Sequence, residues 1–273
     1  KELWTMNFDG SNPQKITMTA ESEVGAVWIK HGTKIAFLSS TDDGMQLFTM
    51  DPNGENRKQI SNVEKGIDGF LFSPDETKIL LIRNIKYGKA STDVYPDLDK
   101  ADVKIVDDLM YKHWDHWVTE IPHPFIGNVS ENGISDIVDI MEGEPYECPM
   151  LPFGGTESFS WSPDSKTIAY SSRKKTGMEY SLSTNSDIYL YNLETKETKN
   201  LTEGMMGYDT NPTFSPKGDK RAWLSMEHDG YESDKNLIFG LDIKTGLKTD
   251  LTENWDYTAL SLAWNPNGKA IYF

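Results

Sequence analysis

Cysteine is nearly absent from the sequence. Cys148 is the only one in 273 residues, so no internal disulfide can staple the fold. A lone thiol without a helper reads as an inert packing residue. Long apolar runs are missing as well. No stretch of the chain reaches the roughly 18 apolar residues that a membrane-crossing helix needs, so no membrane span is expected. Basic residues are the minority, 27 against 43 acidic ones, for a net charge of −16. Phosphate binding needs a cationic surface, so nucleic acid is excluded as a partner class. The surplus carboxylates read first as a solvated surface; attraction of a cationic group, such as a peptide's free amino terminus, is the functional alternative. No Gly-x-Ser-x-Gly occurs, and Gly154-Gly-Thr-Glu-Ser158 has the wrong spacing, so the nucleophile elbow of an α/β-hydrolase is lacking. The chain opens at Lys1 with neither Met nor an apolar leader, as a mature or trimmed polypeptide would.

What the sequence does have is aromatics and repetition. Eight Trp, twelve Tyr and eleven Phe favour strands, because flat rings pack on a pleated, half-buried surface. One phrase recurs: an aromatic, a Ser/Asn-Pro turn, then a β-rich run opened by Lys or Gly. It reads Phe72-Ser-Pro-Asp-Glu-Thr-Lys-Ile-Leu-Leu, Trp161-Ser-Pro-Asp-Ser-Lys-Thr-Ile-Ala-Tyr, Phe214-Ser-Pro-Lys-Gly-Asp-Lys-Arg-Ala-Trp and Trp264-Asn-Pro-Asn-Gly-Lys-Ala-Ile-Tyr-Phe. A worn copy runs Trp28-Ile-Lys-His-Gly-Thr-Lys-Ile-Ala-Phe. Proline fixes φ at the first central turn position and Asp, Asn or Gly tolerates the next. Each copy is therefore a hairpin. A second hairpin follows at 47–60, 188–201 and 237–251, each ending on an apolar residue followed by Thr or Ser.

Two hairpins make one four-stranded blade, which predicts an all-β fold: a single β-propeller domain over residues 1–273. The aromatic anchors lie 44, 89, 53 and 50 residues apart, against roughly 40–50 for an ordinary unit. The long gap predicts an insertion at 84–109, with 110–118 and 123–129 as the second hairpin and 134–140 as its closing stretch. The expected blades are 24–61, 66–140, 155–202 and 207–252, plus two half-blades at 1–17 and 258–273. The halves either pair to close a five-bladed ring, removing exposed strand edges, or mark a stretch of a larger propeller.

The Ser-Pro-Asp phrase at 162–170 resembles the repeats of TolB-like propellers and of the prolyl oligopeptidase class. More specifically, Leu109-Met-Tyr-Lys-His-Trp-Asp-His-Trp-Val with His123-Pro-Phe-Ile, and Pro152-Phe-Gly-Gly leading to Phe159-Ser-Trp-Ser-Pro-Asp, resemble bacterial dipeptidyl-peptidase 5 and acylaminoacyl-peptidase-like enzymes. The resemblance implies a propeller that caps a C-terminal α/β-hydrolase domain of the same parent chain and filters which oligopeptide substrates reach a Ser-Asp-His triad. It also implies a periplasmic or secreted bacterial protein. The Glu-Glu dipeptide that binds the substrate's amino terminus in dipeptidyl-peptidase IV is absent.

Within this chain no catalytic residues, cofactor or metal are expected. His113, His116 and His123 with Asp115 have metal-like composition, but on a strand 113 and 116 point to opposite faces. The better candidate is a substrate-binding group of Trp114, Asp115, His116 and Trp117, where a carboxylate between aromatic faces could hold a cationic amine; packing between blades is the competing reading. Glu142, Glu144 and Glu147 read as a solvated loop, Asp42-Asp43-Gly44 as a turn without enough ligands for calcium, and Asn128-Val-Ser and Asn200-Leu-Thr as chance matches to the glycosylation pattern. The alternative function is a TolB-like periplasmic protein- or ligand-binding scaffold without enzymatic activity.

Overall fold

The computed structural model describes residues 1–98, 100–101, 103–106 and 117–273. Two compact units divide it, residues 1–83 with 125–139 and residues 84–124 with 140–273. The first opens with a two-stranded hairpin, β1 (Trp4–Thr5) and β2 (Gln14–Lys15), followed by an antiparallel sheet of β3 (Glu23–Ile29), β4 (Lys34–Thr41), β5 (Gly44–Met50) and β6 (Lys58–Gln59). Next comes a sheet of β7 (Gly69–Phe72), β8 (Lys78–Lys86), β9 (Glu120–Ser130) and β10 (Gly133–Asp139). In the second unit, β11 (Phe159–Trp161), β12 (Thr167–Ser172), β13 (Asp187–Asn192) and β14 (Thr198–Asn200) form one sheet. A second sheet holds β15 (Asp209–Phe214), β16 (Lys220–Ser225), β17 (Leu237–Asp242) and β18 (Lys248–Asp250), and a hairpin of β19 (Ala263–Trp264) and β20 (Ile271–Tyr272) follows. Four-stranded antiparallel meanders in series are propeller blades, the fold class the repeats predict.

The repeated phrase works through its side chains. In the first turn Ser73 N–H donates to Lys78 O, and Lys78 N–H donates back to Ser73 Oγ at 3.0 Å. The same exchange joins Ser162 to Thr167 and Ser215 to Lys220. Its last residue takes positive φ: 55° at Glu76, 59° at Ser165, 71° at Gly218 and 71° at Gly268. The Thr or Ser that ends the second phrase has a matching task. Its hydroxyl accepts a backbone N–H of its blade's third strand, as Ser61 does for Leu47, Thr202 for Ile188 and Thr252 for Ile238.

Inner strands are buried on both faces. On β4, Ala36 and Leu38 pack with Leu47, Phe70 and Leu81, while Ile35 and Phe37 pack the other way with Met50, Leu3 and Ile16. On β16, Trp223 packs with Ala169 and Phe214, while Ala222 and Leu224 meet Ala259 and Trp264. A helix-period pattern would leave one of those faces polar.

The third sheet corrects the expected layout. Its second hairpin is β9 with β10, joined through Ser130 opposite Gly133, and β8 runs on to Lys86, past the expected start of the insertion at 84. Of the expected strand at 110–118, residues 110–116 lie outside the described residues, and Trp117 and Val118 belong to no strand. Gly133, at φ 123°, makes the tight turn. Within the insertion a short helix, α1 (Ser91–Val94), is held by Asp93, which accepts the Ala90 N–H at 2.7 Å.

Candidate functional site

In the second unit the strands align so that four connecting segments leave at one end. Ser172, last in β12, pairs with Asp187, first in β13, and Ser225 of β16 pairs with Leu237 of β17. Residues 173–186 and 226–236 therefore emerge beside 140–158 and 201–208, which lead into β11 and β15.

These segments enclose a cavity of about 310 Å3. Met150 to Phe153 supply one apolar side and Met226 another; Arg173, Thr184, Tyr208 and Glu232 complete the lining. Phe153 is 91% exposed, an unusual state for a ring beside a cavity. The walls are fixed by backbone contacts. Gly154 N–H donates to Met150 O at 2.8 Å, and Met226 N–H to Tyr208 O at 3.2 Å. A Cβ on Gly154 would strike the Met150 carbonyl oxygen, and one on Gly207 would overlap that of Met226.

Charged groups brace the cavity from behind. Arg173 Nη1 donates to Tyr180 O at 3.2 Å and Ser183 O at 3.1 Å, and its guanidinium lies 4.7 Å from the Tyr180 ring centroid. That fixes the short helix α2 (Gly177–Leu182). Asp229 ties the two strand connections together by accepting from Ser183 Oγ, Thr184 N–H and Asn185 N–H. Burial pushes the Tyr208 phenol up; Arg173 opposes this, while Glu147, Glu157 and Glu232 add to it.

The structure overturns the solvated reading of Glu147. Its side chain is buried and accepts a hydrogen bond from the Tyr180 hydroxyl. The segment is drawn inward by its own backbone, with Cys148 N–H donating to Pro122 O and Ser172 Oγ donating to Glu147 O. Cys148 is fully buried, and burial pushes its thiol well up, which keeps it protonated. Glu144 pairs with Lys174 at 2.5 Å, whose ammonium sits 4.3 Å from the Tyr189 ring centroid.

Of the expected substrate-binding group, Trp114, Asp115 and His116 lie outside the described residues, as does His113. Trp117 is 36% exposed and lines a second cavity of about 370 Å3 with Tyr87, Lys89, Ile105 and Thr176. His123 is wholly buried in β9, and no group of three metal-ligating side chains occurs among the described residues. No helix among them is long and apolar enough to cross a membrane. A third cavity, about 430 Å3, is a groove beside the β19–β20 hairpin, walled by Leu241, Trp264 and Ile271. Sequence reasoning missed Arg173 in one repeat and Tyr208 and Met226 in the next; only Pro152-Phe-Gly-Gly gave a signal.

No family model matches the chain. It is 55% identical over all 273 residues to dipeptidyl-peptidase 5 of Porphyromonas gingivalis and spans 40% of that protein's length. Among solved structures, an acylaminoacyl peptidase of Pyrococcus horikoshii aligns over 94% of this chain and 36% of its own, with 16% identity and a TM-score of 0.61. TolB from Acinetobacter baumannii aligns over 99% of this chain and 53% of its own, with 18% identity and a TM-score of 0.56. At such identities these two speak for the propeller fold alone. The resemblance to dipeptidyl-peptidase 5 read from 109–126 and 152–164 extends over the whole chain.

Proposed function

We propose that this chain, a β-propeller similar to dipeptidyl-peptidase 5 along its entire length, is the non-catalytic, substrate-gating part of a serine exopeptidase. The observation that carries the reading is the 55% identity over every residue of the chain, within a relative 2.5 times as long (1/0.40). The remaining length leaves room for an α/β-hydrolase domain in the parent polypeptide, the source of the missing nucleophile elbow. The propeller's part is selection. Its connector face is cut by small cavities, suited to admitting short flexible peptides and turning away folded proteins. Oligopeptides are the proposed substrates, in the periplasm or outside a bacterial cell.

A direct test compares the 273-residue chain with its parent polypeptide on a fluorogenic dipeptidyl substrate and with a serine-reactive phosphonate probe. The parent is expected to turn over the substrate and take the label; the chain alone does neither. A parent that releases no dipeptide, or a chain that does so by itself, overturns the assignment.

A further inference from the structure

We propose that the cavity of about 310 Å3 beside Phe153 is a peptide subsite that takes one apolar side chain. The inference deepens the substrate-gating reading and rests on it for the class of ligand.

Two observations carry it. First, the size: a cavity at the small end of the roughly 300–1,000 Å3 range of ligand pockets accommodates a side chain with its adjoining main chain, and no folded partner. Second, the walls. Met150 and Met226 face the space from different segments, and the flexible, polarisable thioether adapts to apolar groups of differing shape. Leu151 and Phe153 stand exposed at the rim, where a bound side chain would cover them.

The Gly154–Met150 turn, the Gly207–Met226 approach and the Asp229 tie fix three sides of the cavity through the chain's own contacts. Little ordering cost then falls on binding.

The test labels the methionine methyls of the chain with carbon-13 and follows them by NMR. Met150 and Met226 are assigned through Met150→Leu and Met226→Leu. Gly-Phe-Gly-Gly is expected to shift both methyls saturably, with tetraglycine at least tenfold weaker. Phe153→Ser, at an exposed position, is expected to weaken the Phe peptide at least fivefold without moving the melting temperature. Unmoved methyls at saturating Phe peptide, equal binding of tetraglycine, or shifts caused by an oligosaccharide and not by peptides would each overturn the subsite. The two proposals fail separately. Dipeptide release by the parent with silent methyls removes the subsite alone, whereas methyl shifts in a chain whose parent releases no dipeptide support the subsite and remove the peptidase.

Discussion

Asp209 opens β15, the first strand of its sheet, and is completely buried. Neither carboxylate oxygen has a partner in strict hydrogen-bond geometry, although Ser225, Thr202 and Trp223 stand beside it. Burial dominates and pushes the carboxyl up to about 7, from an ordinary 3.8. The sign follows from proton counting. Below 3.8 the group is protonated in both states and has no effect on stability. Between 3.8 and about 7 the unfolded chain ionises while the folded one holds its proton, so stability falls as pH rises. Above about 7 the full penalty, on the order of 4 kcal/mol, is present. Asp209→Asn keeps the shape and removes the titration. Urea unfolding of the wild-type chain and the variant, followed by tryptophan fluorescence, isolates this one group from all others that titrate. The stability difference between variant and wild type is expected to move by roughly 3 kcal/mol in the variant's favour from pH 5 to pH 8. A difference that stays constant with pH would refute the buried, late-titrating carboxyl.

Three further perturbations follow from the blade architecture. Thr202→Val orphans the Ile188 N–H and removes the hydrogen bond to Asp187, and should cost about 2 kcal/mol in the same denaturation assay, with Thr202→Ser costing less. Arg57→Ala strips the buried Glu23 carboxylate of its ion pair at 3.1 Å and uncovers the Phe48 ring 4.8 Å away; a loss of about 3 kcal/mol is expected, read as a lowered urea midpoint. Gly218→Ala meets only ordinary contact with Pro163, so its cost is the backbone at φ 71°, about 1 kcal/mol, measurable as a melting shift of a few degrees.

The repeats were legible because each copy carries its own turn chemistry. Ser-Pro-Asp binds its own backbone, and the terminal Thr or Ser accepts a backbone N–H of its own blade, so local sequence suffices. The third sheet was less legible for a related reason. Pro122 and Pro124 lie inside β9, where proline lacks a donor for the ladder, and their carbonyls instead accept from Cys148 and Ile140. The aromatic run ahead of them looked more strand-like than the strand itself. The Asn132-Gly133 pair was the overlooked signal. The cavity was hardly legible at all. Its lining comes from positions 150–153, 173, 184, 208, 226 and 232, which meet only once the blades have packed. Glu147 was misread because its burial depends on Tyr180, 33 residues away.

The gating claim itself is tested most directly by substrate length. The parent polypeptide is offered peptides of graded length, from tetrapeptides to an unfolded protein chain, and released dipeptides are counted by mass spectrometry. A propeller that selects substrates predicts rapid release from short peptides, a steep fall with length and none from folded protein. Equal rates at every length would contradict it.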